Sequence, residues 1–233
     1  TQKEFRRIME REVLPSWSHR AAGSIQRREV VGLIDEIAGR PAPVAANRTL
    51  AVIKAMFNFA IQRGQVDANP ASLIPMREEG ARDRFLKDEE LRILFGKLGS
   101  APLQPQTKLA LLLTLTTAQR PGEAVAIEWS ELVERKNWWT IPPGKRKVGR
   151  RGRGRRKPLT KHGVPMSRAS SAVIAAARAA SWSNQWAFPS SRTDSHVRED
   201  ALAKAVNRCQ HFGLEHWTPH DLRRTASTHL AVL

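Results

Sequence analysis

The chain has 233 residues, with 39 Lys or Arg against 22 Asp or Glu and a formal charge of +17. Apolar residues make up 41%, which supports packed cores and excludes a wholly disordered polycation; no uninterrupted apolar run of about eighteen residues argues for a membrane span. A single cysteine, Cys209, excludes an intrachain disulfide and zinc-finger spacing and favours a reducing compartment, and the absence of tyrosine removes any chemistry that needs one from these residues.

Residues 2–13 place Phe5, Ile8, Met9 and Val13 at helical spacing, and Pro15 is expected to stop that helix. Ser24 is a candidate N-cap for a helix over 24–38, with Ile25, Val30, Leu33, Ile34 and Ile37 as its stripe and Arg27 and Arg28 turned away from it. Over 46–63, Asn47 is the expected cap and Leu50, Ile53, Phe57 and Ile61 the buried stripe, with Gly64 as terminator. Three helices with short connections predict a small all-α domain over 1–75, followed by a polar linker over 76–85.

A second domain, 86–233, opens with Asp88-Glu89-Glu90 ahead of Leu91, Leu94 and Phe95, an acidic first turn before an apolar stripe. Residues 106–117 are apolar nearly all round and predict a buried helix; Pro121 opens the next. Trp138–Ile141 reads as a strand closed by Pro142-Pro143, and Val164-Pro165-Met166 as a returning edge strand. Helices are expected over 168–180 and 199–212, a short strand over 187–189, and a last helix from Pro219 still running at Leu233. Thr1 in place of Met and that unfinished helix suggest a piece of a longer protein.

Between the two strands lies the densest charge in the chain. Residues 145–161 hold ten basic side chains and no acid, among them Lys147, Arg150, Arg151, Arg153, Arg155, Arg156 and Lys157, interrupted by Gly149, Gly152 and Gly154. That composition suits a loop over a polyanion, and equally a solvated basic loop or a targeting signal.

Two further segments carry chemistry. In Thr218-Pro219-His220-Asp221-Leu222-Arg223, Thr218 and Asp221 have capping-box spacing, and His220 and Arg223 share one face of the first turn. A His and an Arg at a helix N-terminus suit a phosphate oxygen; the plainer alternative is a His capping its own helix beside a surface Arg. In Thr116-Thr117-Ala118-Gln119-Arg120-Pro121-Gly122-Glu123, Arg120 stands where a buried helix ends and another begins, either as a mounted guanidinium or as a surface Arg paired with Glu123.

Together these segments resemble the tyrosine recombinases, specifically phage-type integrases. LLLTLTTAQRPGEAVAIEWSEL resembles their T-G-x-R-x-x-E box, and TPHDLRRTASTHLAVL their His-x-x-Arg box. WWTIPPGKRK and KHGVPMS resemble the two sides of their β-hairpin, and WAFPSSR the strand before the last helices. NRTLAVIKAMFNFAIQRG with DANPASLI resembles their helical core-site-binding domain. The resemblance implies a mainly α fold with a small antiparallel β-sheet, a helical core-binding domain and a catalytic domain clamping double-stranded DNA. It implies site-specific recombination through a 3′-phosphotyrosyl intermediate, without metal or cofactor, and self-association on DNA, a tetramer in the full-length protein.

By that resemblance Arg120 and Arg223 clamp the scissile phosphate, His220 assists proton transfer, and a hairpin lysine protonates the leaving hydroxyl. Lys147 matches that lysine best, with Lys157 and Lys161 as rivals. Arg27, Arg28, Arg48 and Lys54, with Arg84 at the linker and Arg150, Arg151 and Arg153 in the loop, are candidate DNA contacts, or solvated charges on amphipathic surfaces. The family's tyrosine is missing from these residues, so this chain is expected to bind DNA in the bacterial nucleoid without cutting it. Two rival readings are a non-catalytic regulatory or decayed DNA-binding fragment and an RNA-binding protein that uses the Arg/Gly loop.

Overall fold

The computed structural model describes residues 2–40, 43–80, 83–133, 137–145 and 160–232. They divide into two compact units, residues 1–82 and residues 83–233.

The first unit is all α. Helix α1 (Gln2–Ile8) runs through a π turn (Met9–Val13) into α2 (Leu14–Trp17). Pro15 therefore does not stop the helix, as its sequence position suggested. The π register lets the Leu14 N–H bond back to the Met9 carbonyl, and Pro15 then falls in the first turn of α2, where no N–H is needed. The continuation carries Trp17 into the core. Helix α3 (Arg27–Ala38) starts later than expected: Ser24 donates to the Ala21 carbonyl at 2.8 Å, while Glu29 caps the helix by accepting from the Gln26 N–H at 2.8 Å. Its buried face is Val30, Leu33, Ile34 and Ile37, joined by Ile25 from the preceding segment.

Helix α4 (Pro43–Gln62) packs Leu50, Ile53 and Phe57 against that face; Ile61 is exposed. Asn47 is not its cap, because α4 begins a turn earlier. Its amide instead accepts from the Arg77 N–H and donates to the Arg77 carbonyl, both at 2.8 Å, tying down the segment after α4. Gly64, at φ 66°, closes α4, with the Gln65 N–H returning to the Ala60 carbonyl at 2.9 Å. Over Val44–Gln62, α4 is long and apolar enough, by length and composition alone, to cross a membrane. Its apolar stripe is nevertheless the centre of this unit's core.

The second unit wraps helices around α6 (Pro105–Thr117), which packs against both α8 (Arg168–Ala180) and α10 (Pro219–Leu230). A buried helix needs apolar residues on every side, and Ala110, Leu111, Leu113 and Thr114 meet that demand; Thr114 returns its hydroxyl to the Ala110 carbonyl at 2.9 Å. Around it stand α5 (Asp88–Leu98), α7 (Pro121–Val125) and α9 (Glu199–Arg208). Leu94 and Leu98 of α5 face inward, whereas Phe95 is exposed.

An antiparallel sheet of β1 (Leu132–Val133), β2 (Trp138–Ile141) and β3 (His162–Pro165) flanks the helices, in the order β1-β2-β3. Trp139 lies opposite both Leu132 and Val164 and is fully buried, with its indole N–H on Glu131 at 3.0 Å. The expected strand over 187–189 is reduced to isolated bridges at Trp186 and Pro189, because Ala187 and Phe188 bond to two different segments, at Ile127 and Val197. The helix expected over 199–212 breaks after Arg208 into a 3-10 turn at 210–212. Helix α10 ends at Leu230 instead of running on to Leu233: the Ala231 and Val232 N–H groups turn back to Thr228 and His229.

Candidate active site

The site is built where α6 hands over to α7. The chain leaves α6 through Ala118, whose φ of 53° is left-handed, and this reversal sets Arg120 at the N-cap of α7. Glu123 holds that corner. Its Oε1 accepts from Arg120 Nη1 at 3.0 Å and its Oε2 from the Arg120 backbone N–H at 3.2 Å. The carboxylate is buried while the Arg120 side chain keeps 41% of its surface accessible. The head group is thus fixed from behind and open in front.

The second wall is the start of α10. The Thr218 N–H and hydroxyl both donate to Asp221 Oδ2, at 2.8 and 2.9 Å, so the capping-box spacing in the sequence is realised with the buried Asp221 carboxylate as its hub. The Thr225 hydroxyl donates to the Asp221 carbonyl at 2.7 Å and accepts from the Leu86 N–H at 2.8 Å, fixing α10 to the segment before α5. On this braced helix His220 is exposed and Arg223, one turn on, is half-buried.

Arg223 Nη1 is buried without a hydrogen-bond partner. Burial holds the Arg223 guanidinium below the usual arginine range; the charge of Arg120 acts in the same direction and Glu123 opposes both. Arg120 and Arg223 therefore share one electrostatic neighbourhood that one carboxylate does not neutralise. A desolvated donor beside a second guanidinium is matched by an anion with several acceptor oxygens. His220 borders the same corner: it lines a cleft with Pro121 and Glu199, and its Nε2 stands 3.5 Å from Glu199 Oε1. Among the described residues no group of three or more His, Cys, Asp or Glu could hold a metal ion.

Arg27 and Arg28 are exposed at the start of α3, and Arg48 is exposed on α4. Two other candidate DNA contacts have internal partners. Lys54 Nζ donates to the Ile74 carbonyl at 2.6 Å. Arg84 is nearly buried, with Nη1 on Glu90 at 2.9 Å and Nη2 reaching the Glu215 carbonyl at 3.4 Å. Lys147, Lys157, Arg150, Arg151, Arg153, Arg155 and Arg156 lie outside the described residues. Lys161 is exposed just before β3. Lys145, counted in the sequence with the basic run, is a pillar within the fold: Nζ meets Glu128 Oε1 and the Ala126 carbonyl, both at 2.7 Å, and Glu131, with the Trp186 ring beneath it.

Spacing pointed to Arg120, Glu123, His220 and Arg223, but it gave no sign of Glu199, which reaches His220 only through a tertiary contact.

Residues 84–232 match the family model described as the phage integrase family, and residues 1–75 match that of the phage integrase central domain. The prophage integrase IntZ of Escherichia coli K12 is 26% identical over 232 residues, covering 98% of this chain and 54% of that protein. The chain spans about half the length of the curated relatives it matches. Among solved structures, a lambda integrase(75-356) dimer bound to a COC′ core site superposes with a TM-score of 0.75 at 15% identity, over 98% of this chain and 82% of that one. A lambda integrase tetramer bound to a Holliday junction gives 0.74 at 16% identity, over 98% and 67%.

Proposed function

This chain belongs to the phage integrase family of tyrosine recombinases, and on that premise we propose that it binds duplex DNA and supplies the phosphate clamp of a site-specific recombinase. The observation that carries the reading is the buried, unpartnered Nη1 of Arg223, which feels the charge of Arg120. In this reading the two guanidiniums hold the non-bridging oxygens of a scissile phosphate. Their charge counts most in the pentacoordinate transition state, where donors already in place need no reorganisation. His220 exchanges a proton at the phosphate or the attacking group. A hairpin lysine, with Lys147 the best match and Lys157 and Lys161 as rivals, protonates the leaving 5′-hydroxyl.

Residues 1–75 act as the core-binding domain, with Arg27, Arg28 and Arg48 on DNA phosphates, and 86–233 as the catalytic domain, joined through 76–85. Arg150, Arg151 and Arg153 add sequence-independent phosphate contacts. Self-association on DNA is part of the proposal, supported by the lambda integrase dimer on its core site. The 233 residues contain no tyrosine, so alone they form no phosphotyrosyl bond. That composition also favours a second reading, a DNA-binding protein that occupies recombination sites without catalysis.

Fluorescence anisotropy of a labelled duplex, read across a salt series, tests the DNA reading. Several Lys/Arg–phosphate contacts give a log–log slope of magnitude about 5 or more, and duplex DNA outcompetes a structured RNA. A slope near zero, or RNA binding more tightly, overturns it.

A further inference from the structure

We propose that Glu199 is the positioning residue for His220: it engages the imidazole at Nε2 and leaves Nδ1 as the nitrogen that takes up a transferred proton and, once protonated, donates to a phosphate oxygen. The inference rests on the phosphate-site reading above, and the two are tested by separate signals.

Glu199 opens α9, the α-helix that precedes α10, and its Oε1 lies 3.5 Å from His220 Nε2. Its seat is tight. A Cβ built on Gly122 would stand 2.8 Å from Glu199 Oε2 and 3.2 Å from its Cδ, so the carboxylate lies directly against α7, two residues from Arg120. A side chain at 122 would push this carboxylate aside.

The other ionisable groups around the imidazole have their own engagements. In the shared cleft, Asp200 takes Arg198 at 2.9 Å and Lys204 at 3.4 Å, and His196 Nδ1 meets the Val197 carbonyl at 2.7 Å. Asp221 is turned to Thr218, and Glu123 to Arg120. Arg223 shares the His220 face of α10 and contributes positive charge. Glu199 is thus the carboxylate that meets the ring.

An imidazole that moves protons needs a third group to select its tautomer and to steady the imidazolium it forms. A separation of 3.5 Å is ion-pair range, and catalytic hydrogen bonds in unliganded sites commonly tighten when the reactant arrives. Glu199 has the charge and the location for that role, against α7, the helix that also mounts Arg120.

The test is long-range 1H–15N NMR on the 233-residue chain, with the His220 ring signals assigned by their loss in His220→Gln. In the parent chain neutral His220 carries its proton on Nε2. In Glu199→Gln the carboxamide is able to donate to Nε2, and the Nδ1–H tautomer rises at least two-fold. Gly122→Ala, which displaces the carboxylate, moves the same signals, and the double variant moves them no further than the larger single change. Should Gly122→Ala fail to fold, Glu199→Gln decides alone. Unchanged tautomer populations in Glu199→Gln overturn the proposal. Inorganic phosphate is then titrated while the side-chain N–H signals of Arg120 and Arg223 are followed. A tautomer effect without any phosphate response upholds the Glu199–His220 contact and overturns the phosphate-site reading alone.

Discussion

Glu123 holds Arg120 at both ends: one carboxylate oxygen takes the guanidinium at 3.0 Å and the other takes the backbone N–H of the same residue at 3.2 Å. Cap and counter-ion are thus one side chain, so the orientation of the arginine and the start of α7 cannot be lost separately. Glu123→Ala removes both bonds from a buried position, and the expected loss is about 1–3 kcal/mol, read as a lower urea midpoint. Arg120→Ala leaves the buried Glu123 carboxylate with the backbone N–H as its one remaining partner at this corner, and costs at least as much. Equal midpoints for Glu123→Ala and the parent would contradict the double role.

Arg223 leads to the opposite expectation. Its guanidinium is desolvated beside Arg120 with one donor unpaired, so the folded chain is less stable than a well-packed apolar side chain would make it. Arg223→Met is expected to raise stability by roughly 1 kcal/mol. It should also abolish the extra thermal stabilisation that inorganic phosphate gives the parent chain, since a ligand of the folded state stabilises only where it binds. Differential scanning calorimetry with and without phosphate reads both effects. A strongly destabilised Arg223→Met would show the guanidinium to be structural.

Ala118 carries strain that glycine would relieve. Its φ of 53° places an L side chain in the left-handed region, and the T-G-x-R element that this segment resembles has glycine at that position. Ala118→Gly is expected to stabilise the chain by about 0.5–1 kcal/mol, the relief of the left-handed backbone less the added freedom of glycine in the unfolded chain. A chemical denaturation series measures it, and a loss of stability would contradict the strain.

Acid should weaken the second unit through two named pairs. Arg84 holds Glu90, and Lys145 holds Glu128, below the ordinary glutamate value of 4.5, in each case first through a side-chain hydrogen bond. A depressed folded value means that the stabilisation is present above about pH 4.5 and is lost as pH falls through the folded value. Glu90→Gln and Glu128→Gln should each flatten the fall of Tm on acidification while lowering Tm at neutral pH. Parallel Tm curves for variant and parent would remove these pairs from the acid response.

Helices with a full apolar stripe were legible in the sequence, as were the Trp138–Ile141 strand and the capping spacing of Thr218 and Asp221. Local signals failed where a tertiary partner decided the outcome. Pro15 reads as a stop, but the π turn before it absorbs the missing N–H. Asn47 and Ser24 have the side chains of caps, yet one is claimed by Arg77 and the other by Ala21. Phe95 and Ile61 sit on apolar patterns and remain exposed. The two-residue strand β1 is too short to leave a period. Charge alone does not show pairing: Lys54, Arg84 and Lys145 look like every other surface cation in the sequence, but each has a partner from a segment well removed along the chain. Arg120, His220 and Arg223 stood out as candidates because each sits at or near a helix start with recognisable spacing.

The basic run over 145–161 should act on affinity without discrimination. Replacing Arg150, Arg151 and Arg153 with Gln is expected to weaken binding to all duplex sequences similarly and to reduce the magnitude of the salt slope by about 3, close to one counterion per contact. An unchanged slope would release these three residues from the DNA, and a sequence-dependent loss would assign them to base reading.

In the proposed clamp Arg120 and Arg223 form one site for a tetrahedral oxyanion, with His220 at its edge. The most direct measurement is a crystal structure of the 233-residue chain soaked in tungstate, a heavy analogue of phosphate that anomalous scattering locates unambiguously. The account predicts one tungstate bridging the two guanidiniums, an oxygen on Arg223 Nη1 within about 2.7–3.2 Å, and no bound tungstate there in Arg223→Met. Tungstate bound elsewhere on the basic surface, with the Arg120–Arg223 corner empty, would contradict it.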